Sequence, residues 1–210
     1  MFISKTSAQL LKISIVEFIA TPLKDVYLIW LKPRIDERGY FIRSYCKKEL
    51  AKIGVPETIS QINRSFSVSE HTLRGMHFQL PPHSEVKIVS CIRGSLLDVV
   101  IDLREDSYSF GKCYSVELSE NSNKMLVVPK GFAHGFMTLS PNTEMEYFVT
   151  FDYSPASERG LMWNDHRLMN SWPTTPKIIS TKDQNNSSFD RSVAEYREAM
   201  KQDLLGFSTS

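Results

Sequence analysis

The chain is short of every feature that would mark an extreme class of protein. It has no charge excess: 25 Lys and Arg stand against 24 Asp and Glu, a formal net charge of +1. That balance gives no electrostatic reason to expect nucleic acid or an anionic membrane as a partner, while leaving room for a local anion site. No apolar run approaches the roughly 18 residues of a membrane span. The apolar N-terminal stretch is cut by Lys12 and Glu17 and no small-residue cleavage site follows it, which argues against a secretory leader. Cysteine is scarce. Cys46, Cys91 and Cys113 are an odd number without CxxC spacing, so they read as reduced packing residues and not as a disulfide framework or redox pair. No linker-like composition divides the chain. What remains is the expectation of a soluble, cytoplasmic protein with one core, for which 210 residues, 41% of them hydrophobic, suffice.

Short runs rich in Val, Ile, Phe and Tyr follow one another from Ile15 onward. Strands are expected over residues 26–31, 41–45, 86–92, 96–103, 113–118, 124–128, 135–138 and 144–151, separated by Pro, Gly and Asn turn signals. Many short strands so spaced indicate a sandwich or jelly roll, not a βαβ fold. A short helix is expected over 46–53. A longer one is expected over 188–205, begun by Ser/Asp capping chemistry and carrying Phe189, Val193, Tyr196, Met200 and Leu204 at helical spacing. It would act as a cover on the sheet or on a partner chain. The organisation is thus an extension (1–14, partly helical over 8–13), a mainly β domain (15–185), and a C-terminal helix and tail (186–210).

Two segments carry a histidine beside glycine: Leu73-Arg74-Gly75-Met76-His77-Phe78-Gln79, and Pro129-Lys130-Gly131-Phe132-Ala133-His134-Gly135-Phe136. Glycine beside a strand allows close approach of a ligand to the backbone. The second segment has the Pro-x-Gly-x-x-His spacing of metal-binding cupins, but a metal site needs three or four suitable ligands. The position two beyond His77 holds Gln79, an amide, and His83 follows Pro81-Pro82 on an expected loop. Metal is therefore disfavoured and proton transfer is the chemistry left. His77, with Arg74 before it and Lys87 after it, combines a titratable base with fixed cations. The alternative for His77 is a hydrogen-bonded core residue, and adjoining basic residues weaken it because buried positive clusters are costly without an anion. For His134 a structural hydrogen-bonding role stays a strong alternative.

With these segments the chain resembles the dTDP-4-dehydrorhamnose 3,5-epimerase family. The matching blocks are Asp36-Glu37-Arg38-Gly39-Tyr40-Phe41, Gln61-Ile62-Asn63-Arg64-Ser65, Leu73 to Gln79, Asp98 to Arg104, Phe110-Gly111, Pro129 to Phe136 and Trp163-Asn164-Asp165. The resemblance implies a double-stranded β-helix (cupin-type jelly roll), a homodimer sharing an edge strand, and no metal or organic cofactor. The implied substrate is a nucleotide-diphosphate 4-keto-deoxysugar. It implies His77 as general base, Asp183 as the carboxylate that orients it, Lys87 as the cation at the keto oxygen and Tyr147 as the acid on the opposite face. Arg38, Phe41, Arg43, Gln61, Asn63, Arg74, His134 and Tyr153 fall at positions implied to hold substrate.

The residue types suit that chemistry. A carbonyl at C4 acidifies the hydrogens at C3 and C5, a base removes one, and the enolate oxygen needs a cation or donors. Three departures from the family pattern bear on the nucleotide: Arg43 where a glutamate is usual, Ile62 where an acid is usual, and Arg64 where a histidine is usual. The two arginines, if near the nucleotide, would fit a different base or a more anionic ligand. Competing readings are a keto-sugar isomerase, a metal-dependent cupin enzyme, and a non-catalytic sugar-nucleotide binding relative.

Overall fold

The apolar runs in the middle of the chain become two antiparallel sheets stacked face to face. The computed structural model describes residues 16–56 and 58–207, so the expected N-terminal extension and its helix lie outside the described residues. In chain order the elements are β1 (Val16–Ala20), β2 (Tyr27–Leu31), β3 (Arg34–Asp36), β4 (Gly39–Phe41), α1 (Lys47–Leu50) continued by a 3₁₀ turn at Ala51–Ile53, β5 (Gln61–Ser67), β6 (Thr72–Gln79) and β7 (Lys87–Arg93). Next come β8 (Ser95–Asp102), β9 (Cys113–Ser119), β10 (Lys124–Val128), β11 (Phe132–Thr138), β12 (Thr143–Val149), β13 (Glu158–Gly160), β14 (Ile178–Ile179), α2 (Thr181–Gln184) and α3 (Phe189–Phe207). One sheet runs β1-β2-β10-β7-β12-β5. The other runs β13-β6-β11-β8-β9, with β14 lying parallel beside β6. This is the expected mainly β jelly roll.

Period-two alternation sorts the side chains into three layers. Leu28, Val89, Leu126 and Met145 of the first sheet meet Leu96, Val100, Phe132 and Phe136 of the second between the sheets. The opposite face of the second sheet, with Phe78, Val99, Ile101 and Ala133, is covered by Phe189, Val193 and Tyr196 of α3. The opposite face of the first sheet packs Ile29, Ile88, Val127 and Phe148 against Leu50 and Val55. Each such side chain removed from water contributes about 1.5–3 kcal/mol, so α3 is anchored by its N-terminal half. Its remaining expected apolar positions, Met200 and Leu204, are exposed. The first turn of α3 is tied down from a distance, the Phe189 N–H donating to Asp165 Oδ2 at 3.0 Å.

Several expectations need correction. Residues 41–45 are not a strand: only Gly39–Phe41 is extended, as half of a small hairpin with β3, and Phe41 is exposed. The strands β1, β3, β5, β6, β13 and β14 lie outside the expected runs. Strand β11 begins at Phe132, not at 135. Cys91 and Cys113 are packing residues as expected, their thiols pushed by burial up to about 11, far from thiolate chemistry.

Candidate active site

Between the sheets the apolar filling stops at Phe136, Met145 and Tyr147, and beyond them the space is a polar cleft. It has two contiguous parts of about 480 Å³ and about 380 Å³ that share His77, Lys87 and Tyr147. Strand β6 lines one wall, and it does so through a local irregularity. Residues three apart on a regular strand face opposite ways, yet Arg74 and His77 both reach the cleft. Three residues of β6 span two of β11 here, with His77 opposite His134 and Arg74 opposite Phe136. Such a bulge re-aims side chains. Gly75 sits in it at φ 120°, and a Cβ there would fall 2.6 Å from Gly135 Cα and 2.8 Å from the His134 carbonyl oxygen. The glycine pair thus lets β6 and β11 come together where the two histidines lie.

His77 Nε2 is 2.7 Å from Asp183 Oδ1. Asp183 is not a solvated loop residue. It lies in α2, its backbone N–H capped by the Ser180 hydroxyl at 3.0 Å, and it is only 4% exposed. Its Oδ2 accepts the Gly75 N–H at 3.2 Å. Burial alone would raise its pKa, but the His77 ring, the Gly75 N–H and Ser180 outweigh it and hold the carboxyl below the ordinary aspartate range. An anionic Asp183 can only accept, so Nε2–H donates to it, and in that neutral tautomer the ring lone pair is on Nδ1.

The other wall comes from the first sheet. Tyr147 on β12 pairs with Asn63 of β5 and Val89 of β7, and Lys87 sits across from Val149 of β12. The phenol and the ammonium therefore stand near one another on the sheet opposite His77. Burial raises the Tyr147 pKa, Arg74 opposes that and Glu85 adds to it, so the group stays a neutral phenol well above neutral pH. Strand β5 turns Gln61, Asn63 and Ser65 inward and Ile62, Arg64 and Phe66 outward, so Gln61 and Asn63 line the cleft. Arg74 is held by neutral oxygens, the Ser67 hydroxyl at 3.3 Å and the Phe66 carbonyl at 3.0 Å, which leaves its charge for an anionic ligand. His134 also lines the cleft, its Nε2 2.9 Å from Oδ2 of the fully buried Asp98.

Three residues expected at the site lie away from it in the chain that carries them. Arg38 is on the β3–β4 hairpin, hydrogen-bonded to Asp36, Phe41 ends that hairpin, and Arg43 follows it; none lines the cleft. Arg64, read as an extra charge near the nucleotide, faces outward and pairs with Glu146 at 3.2 Å and Glu144 at 3.6 Å. Tyr153 is at the rim, donating to Glu158 Oε2 at 2.6 Å, and Lys182 joins the same carboxylate at 2.6 Å. Asp98, Glu85, Glu158 and Lys182 had no assigned role in the sequence. The visible signal for Asp98 was a carboxylate inside the apolar run Leu96-Leu97-Asp98-Val99-Val100. Gln79, which occupies the place of a metal ligand, spends its amide on Glu85, the His83 and Asp152 carbonyls and the Ser154 N–H.

A jelly roll whose open end carries a carboxylate-bound histidine across from a lysine and a phenol belongs with the cupin-type epimerases, which are isomerases. The chain is a member of the dTDP-4-dehydrorhamnose 3,5-epimerase family, whose sequence profile matches residues 20–191. The dTDP-4-dehydrorhamnose 3,5-epimerase of Escherichia coli (strain K12) is 40% identical over 179 residues, which make up 83% of this chain and 95% of that one. The crystal structure of the dTDP-4-dehydrorhamnose 3,5-epimerase from Elizabethkingia anophelis NUHP1 matches with a TM-score of 0.80 at 40% identity, covering 85% of this chain and 98% of that one. The enzyme of that name from Bacillus anthracis str. Ames, with TDP and PPi bound, matches with a TM-score of 0.77 at 40% identity, covering 82% and 99% of the two chains. No helix among the described residues is long and apolar enough to cross a membrane.

Proposed function

We propose that the chain epimerises a nucleotide-diphosphate 4-keto-6-deoxyhexose of the dTDP-4-dehydrorhamnose type at C5, C3 or both. The observation that carries this reading is the division of labour between the walls: His77 with Asp183 on one sheet's side, Lys87 and Tyr147 on the other. His77 Nδ1 takes the proton from the carbon beside the keto group, and the C–H electron pair moves to the C4 oxygen. The Lys87 ammonium, with Arg74 near it, meets the charge that develops there. Tyr147 then returns a proton to carbon from the opposite face, which inverts the centre. Gln61, Asn63, Arg74, His134 and Tyr153 hold the sugar and diphosphate. No metal or organic cofactor enters this chemistry.

The proposed working form is a cytoplasmic homodimer. Strand β5 is an edge, with Ile62 and Phe66 exposed, and the β3–β4 hairpin exposes Ile35, Tyr40 and Phe41. An apolar edge of this kind asks for a cover. A second copy would meet it, and the segment with Arg38, Phe41 and Arg43 would reach the neighbouring cleft to hold the nucleotide. Incubation with dTDP-, CDP- and GDP-linked 4-keto-6-deoxyhexoses in D2O, followed by NMR at C3 and C5, tests the proposal. Deuterium enters with wild-type protein and not with His77→Asn. Label appearing at the wild-type rate in that variant removes His77 as the base.

A further inference from the structure

The proton-transfer scheme leaves Glu85 without a task, yet its carboxylate lines the cleft with Lys87 and Tyr147. Its side chain is 6% exposed, and that of Lys87 is 16% exposed. Withdrawing a carboxylate from water is unfavourable, a cost that an apolar side chain at this position would avoid. Both oxygens are engaged by different partners. Oε1 lies 3.3 Å from Lys87 Nζ, and Oε2 accepts from Gln79 Nε2. Gln79 is in turn fixed at both ends of its amide. Its Nε2 also faces the His83 carbonyl at 2.9 Å and the Asp152 carbonyl at 3.2 Å, and its Oε1 accepts the Ser154 N–H at 2.7 Å. A relay of hydrogen bonds therefore runs from the 152–154 segment through Gln79 to Glu85, and an ion pair joins Glu85 to the ammonium.

We propose that Glu85 is a positioning residue for Lys87, anchoring its ammonium on the cleft wall so that Nζ already faces the keto oxygen when charge develops there. A lysine side chain has a flexible four-carbon stem and a point charge, and a cation stabilises an enolate best when it need not reorganise. Glu85 supplies that fixation by acting through Lys87. The inference rests on the reading of Lys87 as the enolate-stabilising cation.

Glu85→Gln tests it, because glutamine has one acceptor oxygen where two are in use and nearly the same volume. The expected result is a kcat lower by about 10–100-fold with KM within about twofold, and partial recovery in Glu85→Asp, which keeps both acceptors. In a Lys87→Met background, Glu85→Gln should lower the remaining exchange by less than about twofold, since neighbours acting as one unit are not additive. Equal losses in both backgrounds, or no loss in either, overturn the proposal. A second readout needs no turnover. In protein labelled with 13C-lysine, relaxation of the Lys87 Cε signal should report a fixed side chain in the wild type and a mobile one in Glu85→Gln. An equally fixed Lys87 in the variant overturns the proposal. Absence of deuterium incorporation by the wild type would instead overturn the epimerase reading.

Discussion

Asp183 Oδ1 and His77 Nε2 are 2.7 Å apart across 106 residues of sequence. The same carboxylate accepts the Gly75 N–H through Oδ2, so the group that orients the ring is bonded to the strand that carries it. Ring orientation and strand irregularity are therefore locked to each other. Asparagine at 183 would preserve the volume but not the charge that selects the Nε2–H tautomer. The expected outcome for Asp183→Asn is a fall in kcat on the order of 10²–10⁴-fold with dTDP affinity little changed, measured by steady-state kinetics and calorimetry. A kcat within about tenfold of wild type would remove the orienting role.

The depressed pKa of Asp183 also predicts how stability depends on pH. Its unfolded reference is the ordinary aspartate value of 3.8, and its folded value is lower. The unfolded chain thus binds the proton first as pH falls. The stability contributed by Asp183 is complete above 3.8 and is lost as pH drops through the folded value. Denaturant unfolding at a series of acidic pH values should give a shallower acid slope for Asp183→Asn than for wild type. Equal slopes would show that the carboxyl titrates alike in both states.

Tyr147→Phe separates exchange from inversion. The phenol is held protonated by burial, with Glu85 adding to that effect and Arg74 opposing it, so it is an acid at neutral pH. Its removal should leave deuterium entering from the His77 side while formation of inverted product falls by about 10²-fold or more. NMR of the sugar ring protons distinguishes the two. Parallel loss of exchange and inversion would assign Tyr147 to binding.

Where the sequence was readable, packing made it so. The runs that became β2, β7, β8, β9 and β10 are rich in β-branched and aromatic residues because they bury one or both faces in apolar layers. Strand β5 was missed for the reason that makes it useful: Gln61, Asn63 and Ser65 face the cleft and not a core, so the strand lacks hydrophobic alternation on its inner side. His77, Lys87, Tyr147 and Asp183 were all singled out in the sequence, and one cleft collects them. Burial of Asp183 was not legible, because the four residues of α2 are too few for periodicity to show. The outward turn of Arg64 was legible in principle from its alternation with Gln61 and Asn63, once β5 is taken as a strand.

Gly75→Ala should be among the most damaging single changes outside the chemical groups. It combines a φ of 120° with a Cβ set 2.6 Å from backbone. The expected destabilisation is about 2–4 kcal/mol from backbone strain and overpacking together, visible as a lower Tm and a lower denaturant midpoint. An unchanged Tm would mean that β6 and β11 can separate freely.

Ile62→Glu places a charge on the exposed apolar face of the β5 edge. If that edge joins two copies, the variant should run as a monomer by light scattering at concentrations where the wild type is a dimer. Turnover should fall with it, because Arg38, Phe41 and Arg43 would no longer reach a neighbouring cleft. A wild-type monomer would sink the proposed assembly.

The extra residue in β6 separates two properties that usually travel together. With three steps of β6 set against two of β11, Arg74 and His77 share one side of the sheet although their spacing in the sequence is odd. With the same residues in regular pairing, one of the two would turn onto the face covered by α3. With Met76 deleted as well, the spacing would become even and the two would again share a face. The jelly roll can thus hold a cation and a base on one side with either spacing, and a change of one residue in length at this point need not cost a lineage its reaction.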